Sequence, residues 1–466
     1  MSISFSKKNW AFFICSAAVV VIGAVLAPIG SLSQQGNAAL FFMAALVFLL
    51  TTQVLSPGLI GIVAIVGLPV LGLTTLGEAS ALFGNQLFFY LCACYAISIA
   101  MEKYPLAKRI LRVMLKSFGK TTKGIITAFM LATTILSTFI SNFPCAMLML
   151  IIAKIYLSFI EDPADRKQTQ KSLVIGILFG AVAGGMMTPV GNSNMILAST
   201  FLASAGYPIS FVQWMVFGVP VGFVVIFLAR FFLFKLFPPV EQNEEQRIKF
   251  INEINGMIPD KFDIHEIITI IIMAATFTCW VMNFNLMLIT CLCGVFLLFP
   301  GFGLMTWDEF NKGSGWGTNI LVCSLTAVVT VLQQVGVMDW LISFLNSAIP
   351  NEASPMLILL ILCSVAAVVL IVMPQGIAIN TILGPSIIML AISMGLHPAT
   401  MAIGFATLCT SAFILPTETM VLVFYDGGAN FNAKDLLSVG TIITVVEVLA
   451  IALWHPISAK ILGLTL

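Results

Sequence analysis

Runs of apolar residues recur from one end of the chain to the other, and most are about as long as a membrane-spanning helix. A helix of roughly 20 apolar residues crosses the hydrocarbon layer of a bilayer, which is about 30 Å thick. Two runs, 124–157 and 354–392, are interrupted by polar residues, and we predict that they form re-entrant hairpins. The other runs predict eleven spans, near 10–29, 38–55, 58–73, 86–101, 171–203, 209–237, 264–283, 286–300, 317–336, 398–425 and 436–463.

The polar interruptions are the most informative feature of this pattern. The first hairpin has SNFP (141–144) at its centre, and two long spans are broken by TPVGNSNMIL (188–197) and LPTETMVLV (415–423). Irregular backbone at membrane depth persists only where it is buried in protein or lines a cavity. A helix that starts at such a break presents N–H groups that suit anions, and one that ends there presents carbonyl groups that suit Na⁺. The breaks therefore predict binding-site tips.

The two halves of the chain follow the same order of elements. ALFGNQLFFYL (81–91) is similar to GSGWGTNILVC (313–323), and each precedes an amphipathic segment, an interrupted run and a span with a polar break. The polar segment 238–263 between the halves reverses the side from which the second half starts, so the repeats have opposite topology. Inverted repeats with broken helices in matching positions are typical of secondary transporters. A channel or a structural bundle with ordinary kinks is the alternative.

Composition and charge indicate a multi-pass membrane protein. The chain is 60% hydrophobic and 9% charged, whereas soluble domains carry about 25% charged residues. Its formal net charge of +1 gives no reason to expect a nucleic-acid partner. Basic residues concentrate in segments that a cytoplasmic N-terminus places inside, so we predict a plasma (inner) membrane protein with its C-terminus outside. The basic amphipathic segment 102–120 is predicted to contact anionic lipid.

The cysteines, histidines and acids show no recognisable catalytic or metal-binding set. The C-x-C pairs at 92–94 and 291–293 lie inside apolar runs without a nearby histidine, so we interpret them as small core residues. His455 is predicted to lie at the membrane interface, and Glu447, deep in a span, is interpreted as structural. Without a nucleophile–base pair or a nucleotide-binding sequence, the chain is predicted to be a transporter without a cofactor rather than an enzyme.

At its polar breaks the chain resembles the divalent anion/sodium symporter family, the dicarboxylate and sulfate carriers of the wider ion transporter superfamily. The resemblance covers nearly the whole chain and rests on LAKRILRVMLKSFGK (106–120), STFISNFPCAMLML (137–150), GGMMTPVGNSNMIL (184–197) and KDLLSVG (434–440). It implies a homodimer in which a transport domain moves as an elevator against a scaffold. It further implies a first Na⁺ site at Ser137, Ser141, Asn142 and Gly191, with Asn142, Asn192, Ser193 and Asn194 against the substrate.

The second half departs from that family's pattern. The family carries Ser-Asn-Thr at each hairpin tip, whereas this chain has Gln375-Gly376-Ile377 at the second tip and Ile371 before it. We therefore predict that a second Na⁺ site is weak or absent. Glu418 lies in the middle of a span, where an ionised carboxylate is expensive and usually functional. We interpret it as a proton-coupling acid, with a partner for a cation and a structural hydrogen-bonding acid as alternatives.

The predicted function is secondary active transport of a small organic anion, such as a di- or tricarboxylate, coupled to Na⁺, to H⁺ or to exchange. Transport of sulfate, cation/proton antiport and a channel of the same superfamily are the alternatives. The predicted substrate-binding residues are Asn142, Phe143, Thr188, Asn192, Ser193, Asn194, Gln375, Gly376, Thr417 and Thr419. The predicted domains are an N-terminal helix (1–37), a first repeat (38–237, with scaffold 38–113 and transport segment 121–203), a cytoplasmic linker (238–263) and a second repeat (264–466, with scaffold 264–345 and transport segment 354–425).

Overall fold

The structure, a computed structural model, describes residues 7–52, 54–348, 354–372, 376–411 and 433–464. Within these ranges the regular structure is helical, without β-strands, and includes one 3-10 turn at Pro300–Phe302. The α-helices are α1 (Lys7–Val25), α2 (Gln34–Thr52), α3 (Pro57–Val70), α4 (Leu76–Phe83), α5 (Gln86–Lys103), α6 (Leu106–Phe118), α7 (Thr122–Ser137), α8 (Asn142–Ser158), α9 (Pro163–Gly185), α10 (Ser193–Ser204), α11 (Phe211–Leu236), α12 (Glu244–Gly256), α13 (Ile264–Val281), α14 (Leu286–Leu298), α15 (Trp307–Gly313), α16 (Trp316–Gln334), α17 (Val337–Ala348), α18 (Pro355–Val372), α19 (Gly376–Ser393), α20 (Pro398–Cys409) and α21 (Ala433–Ile461).

Eight helical segments of the described chain are long and apolar enough to cross a membrane. They are α1, α2, α4 together with α5, α11, α13, α16, α19 and α21. Shorter apolar helices, including α7, α8, α18 and α20, adjoin the predicted polar breaks. The fold class predicted from hydropathy, an all-α polytopic membrane protein, is confirmed. The number of eleven spans and the two re-entrant hairpins stay predictions.

The helices are interrupted where polar residues interrupt the apolar pattern. Residues 138–141 separate α7 from α8, and residues 186–192 separate α9 from α10. Pro144 lies in the first turn of α8, where a backbone N–H has no partner within the helix, so the proline fits without loss of a hydrogen bond. Both breaks overlap the predicted interruptions 141–144 and 188–197, although residues 142–144 and 193–197 belong to α8 and α10.

Matching elements in the two halves begin with the same local structure. The short helix α4 is capped by Thr75, whose side chain accepts from the Glu78 backbone N–H while Glu78 bonds back to the cap. The short helix α15 starts with the same capping box, formed by Thr306 and Glu309. Each short helix precedes a long apolar helix, α5 or α16. This order supports the predicted internal repeat, which stays a prediction.

The halves also interlock through two close helix crossings. A Cβ added to Gly61 on α3 would lie 2.9 Å from the Leu321 Cα on α16. A Cβ added to Gly294 on α14 would lie 2.9 Å from the Ala93 Cα on α5. Both distances are too short for a side chain, so glycine allows each pair of backbones to touch. The crossings join first-half helices to second-half helices inside the predicted scaffold segments.

The linker between the halves contains a docked helix that the polar sequence does not predict. Phe250 and Ile254 on α12 are fully buried, one helical turn apart. The Phe250 ring lies 4.9 Å from Tyr156 on α8 and stacks 6.1 Å from Phe129 on α7, measured between ring centroids. Phe250 thus packs α12 against α7 and α8, and Ile254 is buried on the same face of α12.

The amphipathic helix α6 is anchored to the second half by a buried ion pair. Arg109 Nε lies 2.5 Å from Glu266 Oε1, and its guanidinium lies 3.9 Å above the centre of the Phe262 ring. Arg109 is 7% exposed and Glu266 1%. This member of the basic segment faces protein, whereas Lys116 on the same helix and Lys120 just after its end are exposed. Lipid contact by the exposed face stays a prediction.

Candidate functional site

The breaks of the first hairpin and of the following span meet inside the protein. Ser137 ends α7 and Asn142 begins α8, while Gly185 ends α9 and Asn192 caps α10. A Cβ at Gly185 would overlap the Asn142 side-chain amide. Two helix ends that present carbonyl groups and two that present N–H groups therefore converge on one region. Both kinds of partial charge that a co-transport site requires are present there.

The side-chain amide of Asn142 lies at the centre of this region. One end of the amide is 2.9 Å from Ser137 Oγ, 3.1 Å from the Ala181 carbonyl oxygen and 3.3 Å from the Gly191 carbonyl oxygen. The other end lies 2.9 Å from Asn192 Nδ2. With its nitrogen toward the three oxygens, the amide shares its two N–H donors among them, and its oxygen accepts from Asn192. Asn142 is 5% exposed and Ser137 is fully buried, so these bonds form away from bulk water.

The same geometry also suits a small cation. If the amide turns its oxygen toward Ser137, four neutral oxygens face each other: Ser137 Oγ, Asn142 Oδ1 and the carbonyls of Ala181 and Gly191. Hard cations such as Na⁺ take oxygen ligands, and the amide can rotate to supply one. The carbonyl ends of α7 and α9 add a favourable negative potential. One arrangement of residues can therefore be satisfied either by internal hydrogen bonds or by a cation.

Glycine at position 191 is required by close backbone packing. A Cβ there would lie 2.8 Å from the Gly185 carbonyl oxygen and 2.9 Å from the Ser137 carbonyl oxygen. Thr188, in the same break, is 2% exposed and donates from Oγ1 to the Thr138 carbonyl oxygen at 2.5 Å. These contacts hold the 186–192 segment against the end of α7, which fixes the position of the Gly191 carbonyl.

The start of α10 links the first half of the site to the second. Asn194 Nδ2 donates to the Cys409 carbonyl oxygen at 3.2 Å, and Asn380 Nδ2 donates to the Asn194 carbonyl oxygen at 3.0 Å. A Cβ at Gly376 would overlap the same Cys409 carbonyl oxygen. The N-terminus of α19 and the C-terminus of α20 are thus brought against α10. The Asn194 Oδ1 atom is buried and has no hydrogen-bond partner in the described chain.

The predicted site residues fall into four groups. A buried group makes the contacts given above and comprises Ser137, Asn142, Thr188, Gly191 and Asn194. A half-buried group beside it comprises Ser141, Asn192, Ser193 and Gly376. Phe143 is 40% exposed. The predicted residues Gln375, Thr417, Glu418 and Thr419 lie outside the described residues.

Three contributors to the site were not predicted from the sequence. The Ala181 and Cys409 carbonyl oxygens belong to residues whose side chains are apolar, so residue type gives no signal for them. Asn380 lies one turn beyond the predicted second tip, and its position as a buried amide in an apolar helix is the signal that identifies it. None of the ion pairs in the described chain involves these residues.

Comparison with known proteins identifies the family. The sequence model of the citrate transporter family, CitMHS, matches residues 46–408, which is most of the chain. The chain belongs to the citrate transporter family. Members of this family are transporters, so the prediction of a transporter rather than an enzyme is confirmed, as is the resemblance found at the polar breaks.

Curated relatives cover nearly the whole chain. The sodium-dependent dicarboxylate transporter SdcS of Staphylococcus saprophyticus is 24% identical, over 97% of this chain and 93% of that protein. SdcS of Staphylococcus aureus is 26% identical, over 84% and 79% respectively. The solved structure of MtrF from Neisseria gonorrhoeae, of a class of antimetabolite efflux pumps, is 10% identical with a TM-score of 0.52, covering 97% of this chain and 94% of MtrF. The last likeness concerns the fold alone.

Proposed function

We propose that this member of the citrate transporter family is a secondary active transporter that moves a di- or tricarboxylate across the plasma (inner) membrane together with Na⁺. The observation that carries the proposal is the Asn142 amide, held between oxygens at the ends of α7 and α9 and Asn192 at the start of α10. The printed names of the curated relatives, sodium-dependent dicarboxylate transporters, support both the anion and the coupling ion.

The two ligands are assigned to opposite sides of the Asn142 amide. Na⁺ binds among Ser137 Oγ, Asn142 Oδ1 and the Gly191 and Ala181 carbonyl oxygens, with Ser141 beside them. The carboxylate binds toward the N-termini of α8 and α10, where Asn192, Ser193 and Asn194 contribute side chains and the helix dipoles favour negative charge. Na⁺ then compensates part of the charge of the anion. None of the ion pairs in the described chain lies at this site to compensate the anion's charge.

The movement follows from the division of the chain into scaffold and transport segments. We propose that segments 121–203 and 354–425 carry the site and slide as an elevator against the scaffold segments 38–113 and 264–345 of a homodimer, with the N-terminus cytoplasmic. The close crossings of α3 with α16 and of α5 with α14 support a rigid scaffold. Cross-linking in native membranes that finds only monomers would remove the dimer from this proposal.

The test is transport by the purified full-length chain in proteoliposomes. We expect radiolabelled citrate or succinate to accumulate when an inward Na⁺ gradient is applied, and not when choline replaces Na⁺. Uptake should saturate, and vesicles preloaded with unlabelled substrate should show counterflow, which a channel does not. Flux that neither saturates nor responds to Na⁺ would contradict the proposal, and accumulation of sulfate alone would reassign the substrate.

A further inference from the structure

A fully buried acid lies outside the site described above, on the last helix. Glu447 on α21 is 0% exposed. Its Oε1 accepts a hydrogen bond from Ser411 Oγ at 2.7 Å, and its Oε2 has no hydrogen-bond partner in the described chain. A buried carboxylate without a paired cation is costly, and a buried oxygen without a partner adds to that cost. A purely structural acid is expected to have both oxygens satisfied.

The helices packed against α21 offer Glu447 no positive charge among the described residues. α18 and α20 present the buried thiols of Cys363 and Cys409. Arg230 on α11 is engaged elsewhere, because its Nε donates to Thr127 Oγ1 at 2.8 Å and its guanidinium lies 5.2 Å from the Phe234 ring centre. The surroundings of the carboxyl group therefore suit its neutral, protonated form.

The titratable residues on α21 itself are also directed elsewhere. His455 lies two turns beyond Glu447, with Nδ1 3.4 Å from the Thr400 carbonyl oxygen and its ring 5.2 Å from that of Phe217. Asp435, three turns before Glu447, pairs with Lys171 at 2.9 Å. Lys434 and Lys460 lie at the two ends of the helix. None of them replaces the missing cation.

Glu447 is connected to the transport site through the end of α20. Ser411 follows Cys409 by two residues, and the Cys409 carbonyl oxygen accepts from Asn194 at the start of α10. Two hydrogen bonds and the segment 409–411 therefore connect the carboxyl group to Asn194, and this connection spans at most roughly 18 Å, given 3.8 Å between successive Cα atoms. At an effective dielectric constant of about 20, two unit charges roughly 10 to 18 Å apart change each other's binding roughly five- to twentyfold.

We propose that Glu447 is a proton-binding site linked to the transport site, so that a proton bound at Glu447 accompanies the anion. A carboxylate at Glu447 repels a bound dianion, and protonation removes that repulsion. The linkage is reciprocal, so anion binding draws a proton from solvent onto a Glu447 oxygen, and a lower pH strengthens anion binding. This inference rests on the proposed function and adds a second coupling ion to it.

The direct measurement is the number of protons taken up when the anion binds. Full-length protein in detergent is titrated with citrate at saturating Na⁺, in two buffers of different ionisation enthalpy at the same pH. The difference in binding heat gives the proton count, and protons exchanged by citrate itself cancel when two proteins are compared. Wild type is expected to take up a fraction of a proton more than Glu447→Gln, at most about one.

Two further variants separate the proton site from a structural role. Glu447→Asp keeps an acid and is expected to retain the extra proton uptake, and Ser411→Ala, which removes only the hydrogen bond, is expected to retain it as well. Equal proton uptake by wild type and a folded Glu447→Gln protein would overturn the inference. Failure of wild type to bind any carboxylate would instead contradict the proposed function. A loss of proton uptake in Glu418→Gln but not in Glu447→Gln would assign the proton to Glu418 and overturn the inference too.

A measurement on wild type alone covers the case in which Glu447→Gln does not fold. Dicyclohexylcarbodiimide adds to protonated carboxyl groups in apolar surroundings, and mass spectrometry locates the modified residue. We expect labelling of Glu447 to be faster at about pH 5.5 than at about pH 8.5, because a larger fraction of the carboxyl group is protonated at the lower pH. Glu266, equally buried but paired with Arg109, is the internal reference and should stay unlabelled. Absence of pH-dependent labelling at Glu447 would overturn the inference.

Discussion

The two halves of the chain, which we predict to be inverted repeats, differ in the chemistry of their described residues. In the first half, Ser137, Asn142 and two backbone carbonyls bring neutral oxygens within 3.3 Å of one point. In the described part of the second half, the residue after Gly376 is Ile377, and the nearest polar side chain in α19 is Asn380, which bonds to α10 of the first half. Within the described residues, the second half thus offers no counterpart of the Ser137 and Asn142 oxygens.

From this difference we infer that the two halves contribute different chemistry to transport. The first half supplies the oxygens that suit Na⁺. The second half supplies packing and amide contacts to α10 and, behind α20, the buried carboxyl group of Glu447. Changes in the first half are therefore expected to alter the Na⁺ dependence of transport, and changes in the second half to alter anion affinity and pH dependence.

The largest effect is expected from Gly185→Ala. The added Cβ would overlap the Asn142 amide, so either the amide or the break must move. We expect Na⁺-driven uptake to fall on the order of a hundredfold, with the protein still present in the membrane. Gly256→Ala is the matched control, because a Cβ there meets nothing within 4 Å. Uptake by Gly185→Ala equal to that of the control would show that the Asn142 contacts are dispensable.

A smaller effect, confined to sodium, is expected from Ser137→Ala. This change removes one oxygen of the proposed Na⁺ site and the hydrogen bond to the Ala181 carbonyl oxygen at 2.7 Å. A buried hydrogen bond to a charged ligand corresponds to roughly a tenfold change in affinity, so the Na⁺ concentration for half-maximal uptake should rise about tenfold. Ser158→Ala, at the exposed end of the same hairpin, is the control. An unchanged Na⁺ dependence in Ser137→Ala would place the cation elsewhere.

In the second half, Asn380→Ala should change anion affinity and leave sodium affinity intact. Loss of the 3.0 Å bond to the Asn194 carbonyl loosens the start of α10, which we assign to the carboxylate. The KM for citrate or succinate is expected to rise roughly three- to tenfold, the size expected for one buried hydrogen bond. A parallel rise in the Na⁺ concentration for half-maximal uptake would contradict the proposed division between the halves.

The smallest effect concerns Glu309 in the capping box of α15. Glu309 in the second half accepts a hydrogen bond from its ion-pair partner Lys103 at 2.8 Å. This bond is the main reason that the pKa of Glu309 is lowered from 4.5, and the hydrogen bond from the Thr306 backbone N–H is the next. A carboxyl group whose pKa is lower in the folded than in the unfolded state stabilises the fold at pH values above its unfolded pKa. The contribution is therefore present at neutral pH and is lost as the pH falls through the folded pKa. Lys103→Ala should lower Tm by roughly 1 °C at pH 7, since exposed ion pairs contribute little. The same loss in strong acid would exclude this pair as its cause.

The sequence predicted the positions of the breaks because a polar residue within an apolar run has few explanations at membrane depth. The pattern around Asn142 and the 188–194 segment marks both breaks of the first half, and the structure brings them together. The family resemblance pointed to Gly191, whereas nothing in the sequence indicated the Ala181 carbonyl oxygen. A backbone carbonyl is the same in every residue, so only the path of the chain reveals its role.

The surroundings of individual side chains could not be read from the sequence. His455 was predicted at the membrane interface and is fully buried, because the helices α11 and α20 cover that part of α21. Arg109 lies in a basic segment typical of a lipid-facing helix, yet it pairs with Glu266 from the other half of the chain. Both contacts join residues distant in sequence. Hydropathy along one helix carries no information about which helix packs against it.

The most direct test of the central claim is Na⁺-dependent citrate uptake by Asn142→Ala compared with wild type. Both proteins are reconstituted at equal density, with Asn285→Ala, an exposed helix cap far along the chain, as the control for loss of an asparagine. If the Asn142 amide joins the cation and anion sites, Asn142→Ala should show no Na⁺-stimulated uptake while it folds and reconstitutes like the control. Normal Na⁺-stimulated uptake by Asn142→Ala would contradict this account of the site.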